Sequence, residues 1–291
     1  MANPIIRRKL TAKAFFVAPG MQDMIAASIG NKIGFEIVYG TGYWLTASSL
    51  GLPDAGIATY TQMLDRMATL VRTSHAAVIA DADTGYGGLL NVHHTVQGYE
   101  AAGVTAIQLE DQEFPKKCGH TPYKRLVPLE DMAEKIRVAC AARVDSENFL
   151  IIARTDARAS EGMDGALRRL EAYRAAGADI LFLEAPQSVA EMRDACAAFD
   201  APMMANMADG GLTPILPAAQ LEELGYAFAI YPSLTSLAAA HAMEQALRRL
   251  KQDGTSGGPD VPLFDFKEFC ALIGFEAVWD FERRWARGRE S

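Results

Sequence analysis

Tyr99-Glu100-Ala101-Ala102-Gly103-Val104-Thr105-Ala106-Ile107-Gln108-Leu109-Glu110 holds the fold in miniature: the end of a helix, a glycine stop, an apolar strand and a carboxylate at the strand's end. The unit recurs at Tyr173-Arg174-Ala175-Ala176-Gly177, where Ile180-Leu181-Phe182-Leu183 runs into Glu184, and in both copies the glutamate stands equally far beyond the tyrosine. A helix, a glycine C-cap and a buried strand make one α/β unit, here used twice.

Working outward, short apolar or β-branched runs alternate with longer amphipathic stretches. The runs predict strands at 15–18, 35–39, 76–80, 106–109, 149–153, 180–183, 202–206 and 228–231, and the longer stretches predict helices such as 60–73, 129–143, 163–176 and 189–199. Eight strands alternating with helices make a parallel sheet closed into a (β/α)8 barrel of the TIM type. A doubly wound open sheet is the competing fold, but no glycine-rich dinucleotide fingerprint follows the first strand. Beyond a helix at 234–251, residues 254–262 read as a Gly/Pro/Ser linker, and 264–287 resumes an aromatic-rich helical pattern. The expected organisation is a barrel domain over 1–253 and a linker with a helical extension over 254–291. That extension either packs back on its own barrel or reaches a neighbouring subunit.

The chain's 291 residues carry 28 basic and 36 acidic side chains, a net charge of −8, which argues against nucleic acid or an anionic membrane surface as partner. No run approaches a membrane span and no signal peptide is evident, so the expectation is a cytoplasmic protein. The four cysteines, Cys118, Cys140, Cys196 and Cys270, match no zinc or CxxC pattern. Cys140 and Cys196 lie in alanine-rich helical stretches and read as inert. His75, His93, His94 and His241 read as surface or packing residues.

In such barrels the reactive groups come from the C-terminal ends of the strands. Here those ends run into Gly40-Thr41-Gly42-Tyr43, Asp81-Ala82-Asp83-Thr84-Gly85-Tyr86-Gly87, Glu110-Asp111, Arg154-Thr155-Asp156, Glu184 and Asn206, with Asp54 on a further loop. Each acid alone reads equally well as a cap or ion-pair partner. Several carboxylates converging on one pocket need a cation, and oxygen-only ligands point to Mg²⁺ or Mn²⁺, with most of the acids holding water ligands. The glycines beside Thr41 offer backbone N–H groups to an oxyanion, and Arg154 offers a bidentate fork to a carboxylate. Lys116-Lys117-Cys118-Gly119-His120 places a thiol after two lysines, which are expected to favour thiolate and bring its proton near neutral pH. Metal, oxyanion cradle, arginine and acidic thiol suit the making and protonating of an enolate-like intermediate.

Asp81-Ala82-Asp83-Thr84-Gly85-Tyr86-Gly87, Leu109-Glu110-Asp111-Gln112, Lys116-Lys117-Cys118-Gly119-His120 and Ala153-Arg154-Thr155-Asp156-Ala157 resemble the isocitrate lyase/phosphoenolpyruvate mutase superfamily, over nearly the whole chain. The resemblance implies an α/β barrel, a homotetramer, and a C-terminal helix swapped between neighbours. It implies Asp81 as direct Mg²⁺ ligand, with Asp54, Asp83 and Glu110 on its waters. Thr41, Gly42 and Tyr43 would bind the carboxylate of the α-keto acid half, Gly119 and His120 the other carboxylate, and Arg154, Glu184 and Asn206 would contact the substrate. Cys118 matches the thiol of the carbon–carbon lyase branch.

The implied reaction is retro-aldol cleavage of a 2-hydroxy dicarboxylate. Tyr43 is the expected base, with a carboxylate of the metal shell as second choice, and Cys118 the expected proton donor to the leaving half. Where tricarboxylate lyases of the family carry Thr-Glu-Phe-Gly, this chain has Asn206-Met207-Ala208-Asp209-Gly210-Gly211, close to the Glu-Gly-Gly of the branch acting on substituted malates but with Asp209 one methylene shorter. The expected substrate is a small dicarboxylate such as 2,3-dimethylmalate, giving pyruvate and propionate. The alternatives are methylisocitrate, oxaloacetate cleaved to oxalate and acetate, and, without need of the thiol, phosphonopyruvate.

Overall fold

The structure is a computed structural model describing residues 2–258, 261 and 263–285. Eight parallel strands close in sequence order: β1 (Phe16–Met21), β2 (Ile37–Gly40), β3 (Ala77–Asp81), β4 (Ala106–Glu110), β5 (Leu150–Thr155), β6 (Ile180–Leu183), β7 (Met203–Asn206) and β8 (Phe228–Tyr231). β8 returns to β1 with Phe16 opposite Phe228, their rings stacked at 4.6 Å.

Alternation along the strands divides the core in two. Phe16, Ile37, Ile79, Ile152, Ile180 and Phe228 belong to the cluster filling the barrel, and Ile6, from the helix Ile5–Thr11, joins it. Val38, Val78, Ile107, Leu109, Ile151 and Leu181 point the other way, into the layer beneath the surrounding helices. Two residues beyond the interior Tyr39, Ile79, Ile152, Phe182 and Met204 come Thr41, Asp81, Arg154, Glu184 and Asn206, so the interior rows turn from apolar to polar at the C-terminal mouth.

The strand positions agree with the expected barrel, and three strands overrun their expected ends for one cause. β3, β4 and β5 run on into Asp81, Glu110 and Thr155, past the apolar residues that marked them in sequence. Ladder bonds continue where side chains face the mouth, so polarity there is no strand stop. Gly42 opens the helix Gly42–Leu50 directly after β2, so the backbone N–H groups beside Thr41 belong to a helix N-terminus. The helix expected from 163 is preceded by a turn from Arg158, the two parted at Gly162 with φ 70°.

The C-terminal pattern is two helices, Phe266–Leu272 and Phe275–Trp285, parted by Gly274 at φ 91°; the expected end at 287 lies outside the described residues. The first packs back on the helix Met24–Ile33, with Glu268 3.0 Å from Lys32 and Cys270 buried. The second buries none of its residues. No described helix is long and apolar enough to cross a membrane.

Glu110 and Asp111 are neighbours with opposite duties. Glu110 follows the interior row, whereas Asp111, fully buried, turns outward and accepts from Thr155 Oγ1 (2.6 Å), Asp156 N–H (2.9 Å) and Tyr173 Oη (2.8 Å), with Arg169 at 3.4 Å. Tyr173 thus ties a helix to a strand end, whereas its counterpart Tyr99 ties its helix to the loop after β3, through the Tyr86 hydroxyl at 2.9 Å. Removing the acceptor strands buried donors and a buried guanidinium. Asp111→Ala is therefore expected to lower unfolding free energy by about 3–5 kcal/mol, read from urea denaturation.

Candidate active site

A cavity of about 330 Å³ opens at the C-terminal mouth, lined by Thr41, Tyr43, Asp54, Asp81, Cys118, Gly119, His120, Arg154, Glu184 and Asn206 among others. Ten of the thirteen site residues expected from sequence therefore share one chamber. Gly42, Asp83 and Glu110 stand behind its wall. Gly42 is there because a side chain would not fit: a Cβ would lie 2.8 Å from Asp81 Oδ2.

Arg154 rises from β5 between two acids of the adjoining strands. Its guanidinium lies 3.2 Å from Glu110 on β4, 3.7 Å from Glu184 beyond β6, and 2.9 Å from Asp156, above the Phe182 ring. Burial alone would raise Glu184, but Arg154 and His120 hold its carboxyl down to about 2. Asn206 Nδ2 donates to Glu184 at 3.2 Å. His120 Nδ1 accepts from the Leu212 N–H at 3.2 Å, which leaves the proton of neutral imidazole on Nε2, 3.1 Å from Glu184. Gly119 lies flat on these groups, since a Cβ there would fall 2.2 Å from Arg154 Nη2.

The second half is acidic. Asp81 Oδ1 accepts from the Asp83 N–H at 3.0 Å and from Gln108 Nε2 at 3.4 Å, and Gln108 accepts from the Tyr39 hydroxyl at 2.9 Å. Lys116, buried, sends its ammonium into this cluster, bonded to Asp54 and 2.8 Å from Asp83. Burial pushes Asp83 up to about 6 against the pull of Lys116, and raises Glu110 against Arg154 and Lys116. Both Glu110 carboxylate oxygens and Asn206 Oδ1 are buried without a hydrogen-bond partner.

Among the described residues no three acidic, histidine or cysteine groups form a ready cage for a metal. The donor set nonetheless fits a hard divalent cation. Asp54, Asp81, Asp83 and Glu110 outnumber the cations facing them, Glu110 has idle oxygens, and Mg²⁺ takes few direct carboxylates while keeping its waters.

Two expectations about the loop change. The lysines do not lower the thiol's pKa: Lys116 is committed to Asp54 and Asp83, and Lys117 is exposed. Burial pushes Cys118 up to about 11, with Glu184 and Asp54 adding to the rise, so the group is a thiol at neutral pH. Sequence reasoning also left out Lys116, Tyr39, Gln108 and Asp156 as site residues. Residue alternation offered a signal for Gln108, two before Glu110, and Asp156, two after Arg154. Nothing in the chain foretold the partners of Lys116. Tyr43 stands at the rim, 38% exposed, its ring 4.7 Å from Trp44. Asp209 is exposed at the far side, clasped by the Ser233 hydroxyl at 3.1 Å.

Residues 6–251 match the family described as phosphoenolpyruvate phosphomutase. The chain belongs to the phosphoenolpyruvate mutase/isocitrate lyase superfamily. It is 44% identical over 284 residues to the 2,3-dimethylmalate lyase of Eubacterium barkeri, covering 98% of each chain. It is 41% identical over 276 residues to the 2-methylisocitrate lyase of Halalkalibacterium halodurans, covering 95% of this chain and 90% of that one. Its structure superposes on phosphonopyruvate hydrolase, solved with oxalate and Mg²⁺, with a TM-score of 0.88 and 31% identity over 99% of this chain and 100% of that one. Within the superfamily it is an enzyme of the lyase branch.

The height of the thiol's pKa is directly testable. Iodoacetamide labelling of Cys118, followed by peptide mass mapping, is expected to keep accelerating up to about pH 10, where an ordinary thiol would have levelled off.

Proposed function

We propose that this enzyme cleaves the C2–C3 bond of a 2,3-dimethylmalate-like 2-hydroxy dicarboxylate to pyruvate and propionate. The observation that carries the reading is that Cys118, whose thiol burial pushes up, lines the same cavity as Arg154 and the acids Asp54 and Asp81. Arg154, Asn206, Gly119 and His120 hold the carboxylates, and Thr41, Gly42 and Tyr43 offer the helix N-terminus to the keto-acid half. A divalent cation, Mg²⁺ with Mn²⁺ as alternative, held by Asp81 with Asp54, Asp83 and Glu110 on its waters, would polarise the C2 oxygen when bound.

The C2 hydroxyl gives its proton to a base, Tyr43 or a carboxylate of the acidic cluster. The O–H pair becomes the C=O of pyruvate. The C2–C3 pair passes to the departing half as an enediolate, which Cys118 protonates at C3. The proton first removed restores the thiol, so substrate and products balance without an added reactant. A thiol that stays protonated at neutral pH is ready for this step in every enzyme molecule.

The walls favour a dicarboxylate. Among the described lining residues the cationic groups are Lys116 and Arg154, and both already face acids. The rest of the chamber offers Trp44, Ala208, Ile230, Pro232 and Leu237, with Asp209 at its edge. An alkyl group at C3 finds apolar surface there, whereas the third carboxylate of methylisocitrate would meet no free cation and the Asp209 charge. Methylisocitrate stays the second reading because of the 41% identical relative that bears its name.

The reading extends to assembly. Trp279, Phe281 and Trp285 leave a broad apolar stripe uncovered on the terminal helix. It supports a homotetramer in which this C-terminal helix, beyond Gly274, is exchanged between barrels. Sedimentation is expected to give a tetramer for the full chain, and a smaller species when Phe281 and Trp285 are both changed to Ser.

With Mg²⁺ present, a pyruvate-release assay across 2,3-dimethylmalate, methylisocitrate, malate, oxaloacetate and phosphonopyruvate tests the substrate, oxalate being followed separately for oxaloacetate. Turnover is expected to be highest with 2,3-dimethylmalate. Cys118→Ser is expected to cost about 10³-fold or more in kcat while oxalate binding persists, and full activity in that variant would remove the thiol from the mechanism.

A further inference from the structure

The Cys118 loop springs from a short antiparallel stem. Gln112 bridges Leu126, the Glu113 N–H donates to the Arg125 carbonyl at 2.8 Å, and the Val127 N–H donates to the Asp111 carbonyl at 2.9 Å. Near its start, the Gln112 side chain grips both backbone groups of Lys117, at 2.9 and 2.8 Å. Within the loop the Cys118 carbonyl accepts from the Thr121 N–H at 3.0 Å and the Thr121 hydroxyl at 2.7 Å. These bonds shape the loop but do not fix it to the barrel.

Three side chains make that crossing. Lys116 reaches Asp54 and Asp83, and His120 reaches Glu184 and the Leu212 N–H. Both use groups that line the chamber or belong to the acidic cluster, so both ties are open to competition when the chamber fills. The third is different. Lys124, nearly buried, donates to the Gly119 carbonyl and to Asp156 Oδ1 at 2.9 Å, and both Lys124 and Asp156 stand behind the cavity wall.

We propose that Lys124 is a positioning residue that clamps the Gly119–His120 peptide, next to Cys118, to Asp156 and so holds the thiol in register with Arg154. The inference rests on the reading of Cys118 as proton donor. Asp156 is suited to be the anchor. Its oxygens also grip Arg154 Nε (2.9 Å) and Nη2 (3.1 Å), and its own N–H donates to Asp111 at 2.9 Å. One carboxylate therefore sets both the arginine and the loop. Gly119 completes the junction, because its bare Cα lets the peptide lie directly against the guanidinium. A Lys ammonium withdrawn from water needs both partners to repay its desolvation, so the clamp is two-ended or absent.

The consequence is a split between chemistry and binding. Proton delivery depends on thiol placement, and displacement by about 1 Å costs on the order of 100-fold in rate, while the keto-acid half sits on groups the clamp does not touch. In the Mg²⁺-loaded full-length enzyme, Lys124→Met is expected to lower kcat for 2,3-dimethylmalate by about 100-fold and to leave oxalate affinity within about threefold. Iodoacetamide labelling of Cys118, followed by mass spectrometry with Mg²⁺ and oxalate bound, is expected to quicken by about tenfold as the loop loosens. Lys124→Arg, which keeps the charge and can reach Asp156, is expected to recover most of kcat and the protection of Cys118. Unchanged labelling and kcat within about threefold of wild type in Lys124→Met would overturn the clamp. So would loss of oxalate binding or of folding in that variant without recovery by Lys124→Arg, which would make the residue merely structural. Full activity in Cys118→Ser would instead sink the proton-donor reading, and the labelling of Cys118 would still report whether Lys124 holds the loop.

Discussion

A guanidinium buried at the mouth of a barrel has to be paired, and most of this site follows from how Arg154 is paired. Its register partner across the ladder is Glu110, the next strand brings Glu184, and its own chain brings Asp156. Three carboxylates around one cation leave surplus negative charge, which the Lys124 ammonium offsets at Asp156 while His120 Nε2 faces Glu184. Both groups come from the same loop, so the surroundings of the arginine draw the cysteine segment over the chamber. The pairing costs desolvation on every side, which the ladder geometry repays by presenting the groups already aligned.

The acidic half obeys the same rule with a different remedy. Asp54, Asp83 and Lys116 form a close buried group, yet Asp81 and Glu110 remain without a full charge partner of their own. Burial raises Asp83 and Glu110 above ordinary carboxylates, and the pull of Lys116 and Arg154 does not cancel that rise. A site poised in this way accepts a hard cation readily, because the cation relieves a penalty already present in the fold.

The barrel, its eight strands and nearly all the chamber's residues were legible because each rests on a local pattern: a glycine after a helix, an apolar run, a polar residue where the run ends. The roles of individual charges were not legible. Lys116 and Lys117 are equal in sequence, but the side chains alternate there, so Lys116 and Cys118 face the chamber while Lys117 between them faces water. Asp111 looked like a fifth acid of the site, and only the pleat reveals that it faces the helices. The terminal aromatics read as one helix because a glycine inside a helical pattern does not announce itself as a break until its φ is known.

That alternation also settles how the thiol is tuned. A cysteine beside two lysines in the chain suggests thiolate, but charge acts through space, and at Cys118 burial, Glu184 and Asp54 outweigh the pull of Arg154. Had the loop placed Lys116 against the sulfur, the cysteine would lose its proton before any carbanion formed, and the acidic cluster would lose its resident cation. In the proposed reaction, pairing the lysine with the carboxylates leaves one cation among the acids, and burial leaves the thiol its proton for C3. Loss of the hydroxyl proton and the return of a proton to carbon would then be divided between different groups lining one cavity of about 330 Å³.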